Sequence, residues 1–148
     1  MARAESTAEA VWEGDLLEGA GTATSESGVL GELPVAWGSR VERSRGRTSP
    51  EELLAAAHAS CYAMALSGAL ARGGTPPERL HVRATAVFEQ VGEAFRVTGM
   101  EITVRGRVPG ADEESFNEAV EQANEGCPIS NALRGNVEIT VQPELERG

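Results

Sequence analysis

One long helix constrains the fold more than any other feature of this sequence. Its start is marked by Thr48-Ser49-Pro50-Glu51-Glu52, where a hydroxyl can cap the helix, proline fits the first turn and the carboxylates favour the helix dipole. The pattern predicts a helix from Pro50 to about Arg72, ended by Gly73-Gly74. Residues 55–71 are so small and apolar that little of the helix is expected to face water. We therefore predict a central, largely buried helix.

Short strands are predicted before this helix. Residues 8–13 and 19–24 flank a turn at Gly14-Asp15, and residues 33–37 form a third short strand, as in an antiparallel meander. The charged stretch 41–47 is expected to be a solvated loop.

The remainder of the chain mixes strands and helices. Alternating apolar residues predict two strands joined by a hairpin turn at Gly92-Glu93. Two helices and a final strand are then expected. The predicted segments are strands at 80–91 and 95–108, helices at 111–124 and 129–133, and a strand at 136–141. Together they indicate an α+β fold in one domain covering residues 1–148.

Charge excludes several kinds of partner. The chain has 13 Lys and Arg against 23 Asp and Glu, a net charge of −10, so nucleic acid and anionic membrane are disfavoured by like charge. No apolar run is expected to reach the roughly 20 residues of a membrane helix. Residues 1–7 are polar and lack the hydrophobic region of a secretory signal, so a cytoplasmic location is expected.

The composition predicts a core with little side-chain volume. Apolar residues make up 41% of the chain, but there are only two Trp, three Phe and one Tyr. A thin core of Ala, Val and Leu suggests that further stabilising surface comes from a second chain.

The two cysteines are the first candidates for chemistry, because paired cysteines in a cytoplasmic protein are usually catalytic, redox-sensing or simply buried. Cys61 falls within the apolar helix, whereas Cys127 falls at Gly126-Cys127-Pro128, before a short helix. A helix N-terminus lowers a thiol pKa and an apolar surface raises it. Taken alone, this argument makes Cys127 the more activated thiol, and Cys61 needs a cation brought to it. Both could instead be ordinary core residues.

Cations for Cys61 are available in the segment before the long helix, which carries Arg40, Arg43, Arg45 and Arg47. Glu51 and Glu52 are the candidate carboxylate partners of such an arginine. The distance along the helix decides how Glu51 could act. Glu51 precedes Cys61 by ten residues, which corresponds to about 15 Å along a helix, so direct contact within that helix is impossible. Glu51 would have to act through an extended arginine or from a partner chain, which favours a dimer with composite sites.

Other site types have little support. His58 lies three residues before Cys61 on the same helix face, so a Cys–His pair is one interpretation, and a packed, backbone-bonded histidine is the other. The spacing of Cys and His residues does not match a structural zinc site. The sequence also contains no glycine-rich phosphate loop and no nucleophile-elbow serine, so no metal and no cofactor is expected.

Taken together, these motifs resemble those of the OsmC/Ohr family of thiol peroxidases, and of its OsmC branch in particular. The helix start with its downstream cysteine and the Gly-Cys-Pro turn are specific in combination. The matching stretches are 10–15 (AVWEGD), 21–30 (GTATSESGVL), 39–41 (SRV), 48–53 (TSPEEL), 56–61 (AAHASC) and 126–130 (GCPIS).

The resemblance implies reduction of organic hydroperoxides, with Cys61 as peroxidatic and Cys127 as resolving cysteine. Arg40 corresponds to the catalytic arginine of the OsmC branch and Glu51 to the glutamate that orients it. This overrules the expectation that Cys127 reacts first. The implied fold is an intertwined α+β homodimer with antiparallel sheets wrapped around two central helices. The implied reductant is an external dithiol, such as a lipoylated protein.

A competing hypothesis is a non-catalytic protein that binds a small hydrophobic ligand at the dimer interface. For the peroxidase, Leu54, Met64 and Phe116 are candidate pocket residues, with plain core packing as the alternative. Under the binding hypothesis the cysteines serve as core or as an occasional redox lock.

Overall fold

The computed structural model describes residues 2–42 and 46–147. They fall into two compact units, with the boundary between Leu53 and Leu54. The prediction of a single domain over residues 1–148 stays a prediction.

The first unit contains a three-stranded antiparallel sheet. Its strands are β1 (Ala8–Glu13), β2 (Ala20–Ser25) and β3 (Leu33–Val35), in that order across the sheet. Gly21 of β2 lies under the Trp12 ring, where a Cβ atom would approach Cε3 to 2.7 Å, so glycine is required for this close approach. The three strands confirm the predicted meander.

A short helix, α1 (Trp37–Val41), follows the sheet where the sequence suggested the end of a strand. The strand prediction over 33–37 is therefore wrong for Ala36 and Trp37, because the ladder ends at Val35 and Ala36 is already the N-cap residue of α1. Val41 belongs to this helix rather than to the expected loop, and residues 43–45 of that loop lie outside the described residues. Arg40 is thus presented from a helical turn.

The long helix α2 (Pro50–Arg72) has the predicted bounds. Ser49 accepts a hydrogen bond from the Glu52 N–H, as a capping hydroxyl does. One face is buried, through His58, Tyr62 and Leu66, but the opposite face is open and Met64 is 71% exposed. The expectation that little of this helix faces water is therefore wrong for the single chain, because its buried residues follow one stripe.

By length and mean hydropathy, α2 is long and apolar enough to cross a membrane. In its most apolar stretch of 18 residues, 28% is buried within the chain. The expectation that no apolar run reaches this length was therefore too strict, because alanine, glycine and serine continue the helix between its larger apolar residues. A helix that packs in a core passes the same test of length and composition. The buried stripe of α2 belongs to the main hydrophobic cluster.

The second unit contains a mixed three-stranded sheet. β4 (Arg79–Val91) and β5 (Ala94–Arg107) form the predicted hairpin, with a bulge at Val87/Phe88. β6 (Glu138–Leu145) pairs with β5 in parallel, which differs from the purely antiparallel sheets expected. The difference arises because two helices connect β5 to β6, and such a crossover returns the chain in the same direction.

Those two helices are α3 (Glu113–Gly126) and α4 (Pro128–Leu133), close to their predicted positions. Asp112 and Ser115 form a reciprocal capping box at the start of α3. The Tyr62 hydroxyl of α2 donates to the Val120 carbonyl oxygen and lies 2.7 Å from Asn124 Oδ1. These bonds fix α3 against α2, and the α+β class is confirmed.

Two glycines of β5 provide a matched test of core packing. A Cβ atom on Gly106 would lie 2.7 Å from Phe116 Cε1, whereas one on Gly99 would find its nearest neighbour, Val87 Cγ2, at 3.5 Å. Because Phe116 is only 1% exposed, its ring has little room to move. Gly106→Ala should lower the free energy of unfolding by about 1–3 kcal/mol, as overpacking does.

The measurement is urea denaturation of both variants. Gly99→Ala is the control and should stay within about 1 kcal/mol of the parent. Equal midpoints for the two variants would contradict the described packing of Phe116 on β5.

Candidate active site

A bidentate ion pair joins Arg40 and Glu51 within the first unit. Arg40 Nε donates to Glu51 Oε1 and Arg40 Nη2 donates to Oε2, each at 3.0 Å. Arg40 lies on α1 and Glu51 lies in the first turn of α2. The Thr48 N–H, just before α2, donates to the Pro34 carbonyl oxygen, which ties the start of α2 to β3.

This ion pair holds the guanidinium in a fixed plane. The Glu51 side chain is 8% exposed and that of Arg40 is 31% exposed. The Arg40 guanidinium carbon also lies 5.6 Å from the centroid of the Trp37 ring. A fork with two parallel hydrogen bonds has a defined direction as well as a charge. Arg43 and Arg45, the nearby sequence alternatives, lie outside the described residues.

The two cysteines meet in the second unit. Cys61 comes from the middle of α2, and Cys127 is the residue between α3 and α4. Both are free thiols, and their sulfurs are 3.3 Å apart. Cys127 is fully buried, whereas Cys61 is half-buried. Of this pair, Cys61 is the sulfur that a molecule from solution meets first.

The acidities of the two thiols are set in opposite directions. Burial by itself raises the pKa of Cys127, but hydrogen bonds from the Ser130 side chain and backbone, from Cys61 and from the Ile129 N–H outweigh it, so the pKa is lowered. Burial raises the pKa of Cys61, the Ile129 N–H lowers it, and the neighbouring Cys127 raises it again. The first proton of the pair therefore leaves Cys127.

This order agrees with the argument from residue type and position alone, and it sets a condition on any chemistry at Cys61. A thiolate on Cys61 needs an added positive charge that outweighs its burial and the charge of Cys127. The short separation already suits bond formation between the sulfurs, because a disulfide needs them only about 1.3 Å closer.

Two neighbours of the thiols were missed or misjudged from the sequence. Ser130 is not among the residues predicted for the site, although it lies three residues after Cys127 in the first turn of α4. For His58 the sequence predicts either a partner of Cys61 or a backbone-bonded core residue, but its Nε2 lies 2.7 Å from Ser130 Oγ. The sequence does contain a signal for Ser130, which is a serine in the first turn of a helix that begins directly after a cysteine.

The three residues predicted to line a pocket lie in different surroundings. Phe116 is core, Leu54 packs partly buried against that core, and Met64 is exposed, so the structure does not gather these three around one cavity. Within residues 2–42 and 46–147, no three Cys, His, Asp or Glu side chains lie close enough to hold a metal ion.

Comparison with known proteins places the chain. The profile of the family described as OsmC-like protein matches residues 43–142. "Peroxiredoxin OsmC" of Escherichia coli (strain K12) is 37% identical over 134 residues, which cover 90% of this chain and 93% of that relative. The chain belongs to the OsmC family.

Further OsmC-family relatives point the same way. "Organic hydroperoxide resistance protein OhrB" of Bacillus subtilis (strain 168) is 30% identical over 83% of this chain and 88% of its own length. A crystal structure of an organic hydroperoxide resistance protein from Elizabethkingia anophelis matches 98% of this chain and 100% of its own, with a TM-score of 0.75 and 26% identity. The names of these relatives support a peroxide-related function.

Proposed function

We propose that this OsmC-family protein is a thiol-dependent peroxidase that reduces organic hydroperoxides to alcohols. The observation that carries the proposal is the pair of free thiols 3.3 Å apart, one half-buried and one fully buried. A half-buried thiol can meet a peroxide, and a buried neighbour at this distance can trap the oxidised product as a disulfide. In this proposal Cys61 is peroxidatic and Cys127 is resolving.

The first step uses the Cys61 thiolate. It attacks the outer peroxide oxygen, the O–O bond breaks, and the products are Cys61 sulfenic acid and an alkoxide that takes up a proton to become the alcohol. Arg40 supplies the positive charge that Cys61 requires, and it stabilises the departing alkoxide. Glu51 holds the guanidinium by the bidentate pair described above.

The second step uses Cys127. Its thiolate attacks the Cys61 sulfur, the S–O bond breaks, and hydroxide leaves as the disulfide forms. Hydroxide takes up a proton to give water, so each hydroperoxide consumes two thiolates and two protons, or equivalently two thiols, and yields one alcohol, one water and one disulfide. The lowered pKa of Cys127 supports this role, because the attacking group must be anionic.

The cycle closes when an external dithiol reduces the disulfide, and a lipoylated protein is our proposed donor. We propose a homodimer, which the open face of α2, with Met64 71% exposed, supports. The partner chain then offers a second way for Arg40 to reach Cys61. We place the enzyme in the cytoplasm, where thiols stay reduced, and expect alkyl and fatty-acid hydroperoxides to be better substrates than hydrogen peroxide.

Serine substitutions separate the roles of the two thiols. Cys61→Ser should abolish consumption of tert-butyl hydroperoxide, because no other thiol is open to it. Cys127→Ser should complete one turnover, accumulate Cys61 sulfenic acid and then stop, because the trapping sulfur is gone. Dimedone labelling followed by mass spectrometry measures the sulfenic acid. Unchanged turnover in Cys61→Ser, or no sulfenic acid in Cys127→Ser, would refute these roles.

The role of Arg40 is tested by its effect on the acidity of Cys61. In a Cys127→Ser background, where one thiol remains, Arg40→Ala should move the thiolate absorbance titration of Cys61 to higher pH. In the two-cysteine enzyme the same change should lower kcat/KM by about 100-fold, the size of effect seen when a preorganised donor is removed. Arg47→Ala removes the same charge from the same connecting segment and is the control. An equal effect of both variants would transfer the role from Arg40 to the general charge of the segment.

A further inference from the structure

A buried histidine next to the thiol pair has no part in the chemistry above. His58 is fully buried, and its Nε2 lies 2.7 Å from Ser130 Oγ. Its other ring nitrogen, Nδ1, is buried without a hydrogen-bond partner among the described residues. Burying a half-satisfied imidazole costs free energy that an apolar side chain of similar size would not. The hydrogen bond with Ser130 is therefore the polar contact that can explain a histidine at this buried position.

The unpartnered Nδ1 indicates which nitrogen carries the proton. If Nδ1 carried it, a buried N–H would have no acceptor, and orphaned buried donors are rarer than under-satisfied acceptors. The neutral ring with its proton on Nε2 leaves only a lone pair unmatched. Burial lowers the pKa of His58, which keeps the ring neutral. In this tautomer Nε2–H donates to Ser130 Oγ.

That donation fixes the direction of the Ser130 hydroxyl. A serine hydroxyl has one proton and two lone pairs, so an oxygen that accepts from His58 keeps its own proton for another acceptor. The acceptor beside it is the Cys127 sulfur, because Cys127 is the N-cap residue of α4, Ser130 is the third residue of that helix, and an N-cap side chain lies beside the third helical residue. This orientation directs the Ser130 proton toward Cys127 Sγ, and the Ser130 side chain is one of the groups that lower the pKa of Cys127.

We propose that His58 is a positioning residue for Cys127, which it serves by holding the Ser130 hydroxyl as a donor that stabilises the Cys127 thiolate. The catalytic consequence rests on the proposed peroxidase function, in which that thiolate attacks Cys61. His58 itself exchanges no proton and touches no reacting atom. It sets how much of Cys127 is anionic when the sulfenic acid appears.

Among the described residues, the ionisable groups that interact with Cys127 lie on α2. They are Cys61 and Tyr62, and burial together with the charge of Cys127 raises the pKa of Tyr62, so this phenol stays neutral. Neither neighbour brings positive charge to the sulfur. The hydrogen bonds from Ser130 and from the backbone are therefore what offsets the burial of Cys127.

The test titrates Cys127 alone, in a Cys61→Ser background, by thiolate absorbance against pH. Ser130→Ala and His58→Leu should each move the midpoint to higher pH, because each removes a link that favours the charged form. The double variant should move it no further than Ser130→Ala, since the histidine acts only through the serine. His58→Gln, whose amide N–H can replace Nε2–H, should restore most of the shift. Ser60→Ala, on the exposed face of α2, is the control and should leave the midpoint unchanged.

Several results would overturn the proposal. They are an unchanged midpoint in Ser130→Ala, a midpoint in His58→Gln as high as in His58→Leu, or additive shifts in the double variant. If His58→Leu does not fold, Ser130→Ala decides the serine link, and His58→Gln compared with His58→Asn, whose shorter amide cannot reach the Nε2 position, decides the histidine link.

A kinetic arm keeps this proposal separate from the peroxidase proposal. In the two-cysteine protein, Ser130→Ala should slow disulfide closure several-fold at neutral pH while the rate of sulfenic acid formation with cumene hydroperoxide stays the same. Equal slowing of both steps would refute a role specific to Cys127. If the parent protein consumes no hydroperoxide, the peroxidase proposal fails, and the titration, which uses no peroxide, still judges the hydrogen-bonded chain.

Discussion

The close approach of two sulfurs at the junction of α2, α3 and α4 is the feature on which the chemistry depends. Cys61 and Cys127 are 66 residues apart in sequence and 3.3 Å apart in space. Their positions are fixed by buried contacts on either side, because Tyr62, the next residue of α2, bonds to α3 and His58 bonds to α4. One helix face thus supplies both the core packing and the reactive pair.

The pKa values of Cys61 and Cys127 are shifted in opposite directions, which favours different roles for the two thiols. Hydrogen bonds from Ser130 and the Ile129 N–H make the buried Cys127 the more acidic thiol, while burial and its neighbour make Cys61 the less acidic one. A peroxidase with this arrangement needs a cation only for the half-buried thiol, Cys61. In the proposed mechanism this charge comes from Arg40, whose guanidinium is held by two hydrogen bonds of 3.0 Å to the nearly fully buried carboxylate of Glu51.

Much of this could be predicted from the sequence, for identifiable reasons. The bounds of α2 follow from strong punctuation, with Pro50 at its start and Gly73 after its end, and the hairpin and α3 follow from clear periodicity. The helix α1 was not predicted, because five residues are too few for a periodic signal. The direction of β6 was also missed, since strand alternation is the same in parallel and antiparallel pairs.

The candidate site divides in the same way. The cysteines and the Arg40–Glu51 pair could be named from motifs, but the contact of His58 with Ser130 joins residues 72 positions apart and has no local pattern. Thiol counting before and after one equivalent of cumene hydroperoxide, with peptide mapping, tests the central claim most directly. The account predicts the loss of two thiols per chain and one peptide pair joined through Cys61 and Cys127. Retention of both thiols, or the loss of one without a cross-link, would contradict it.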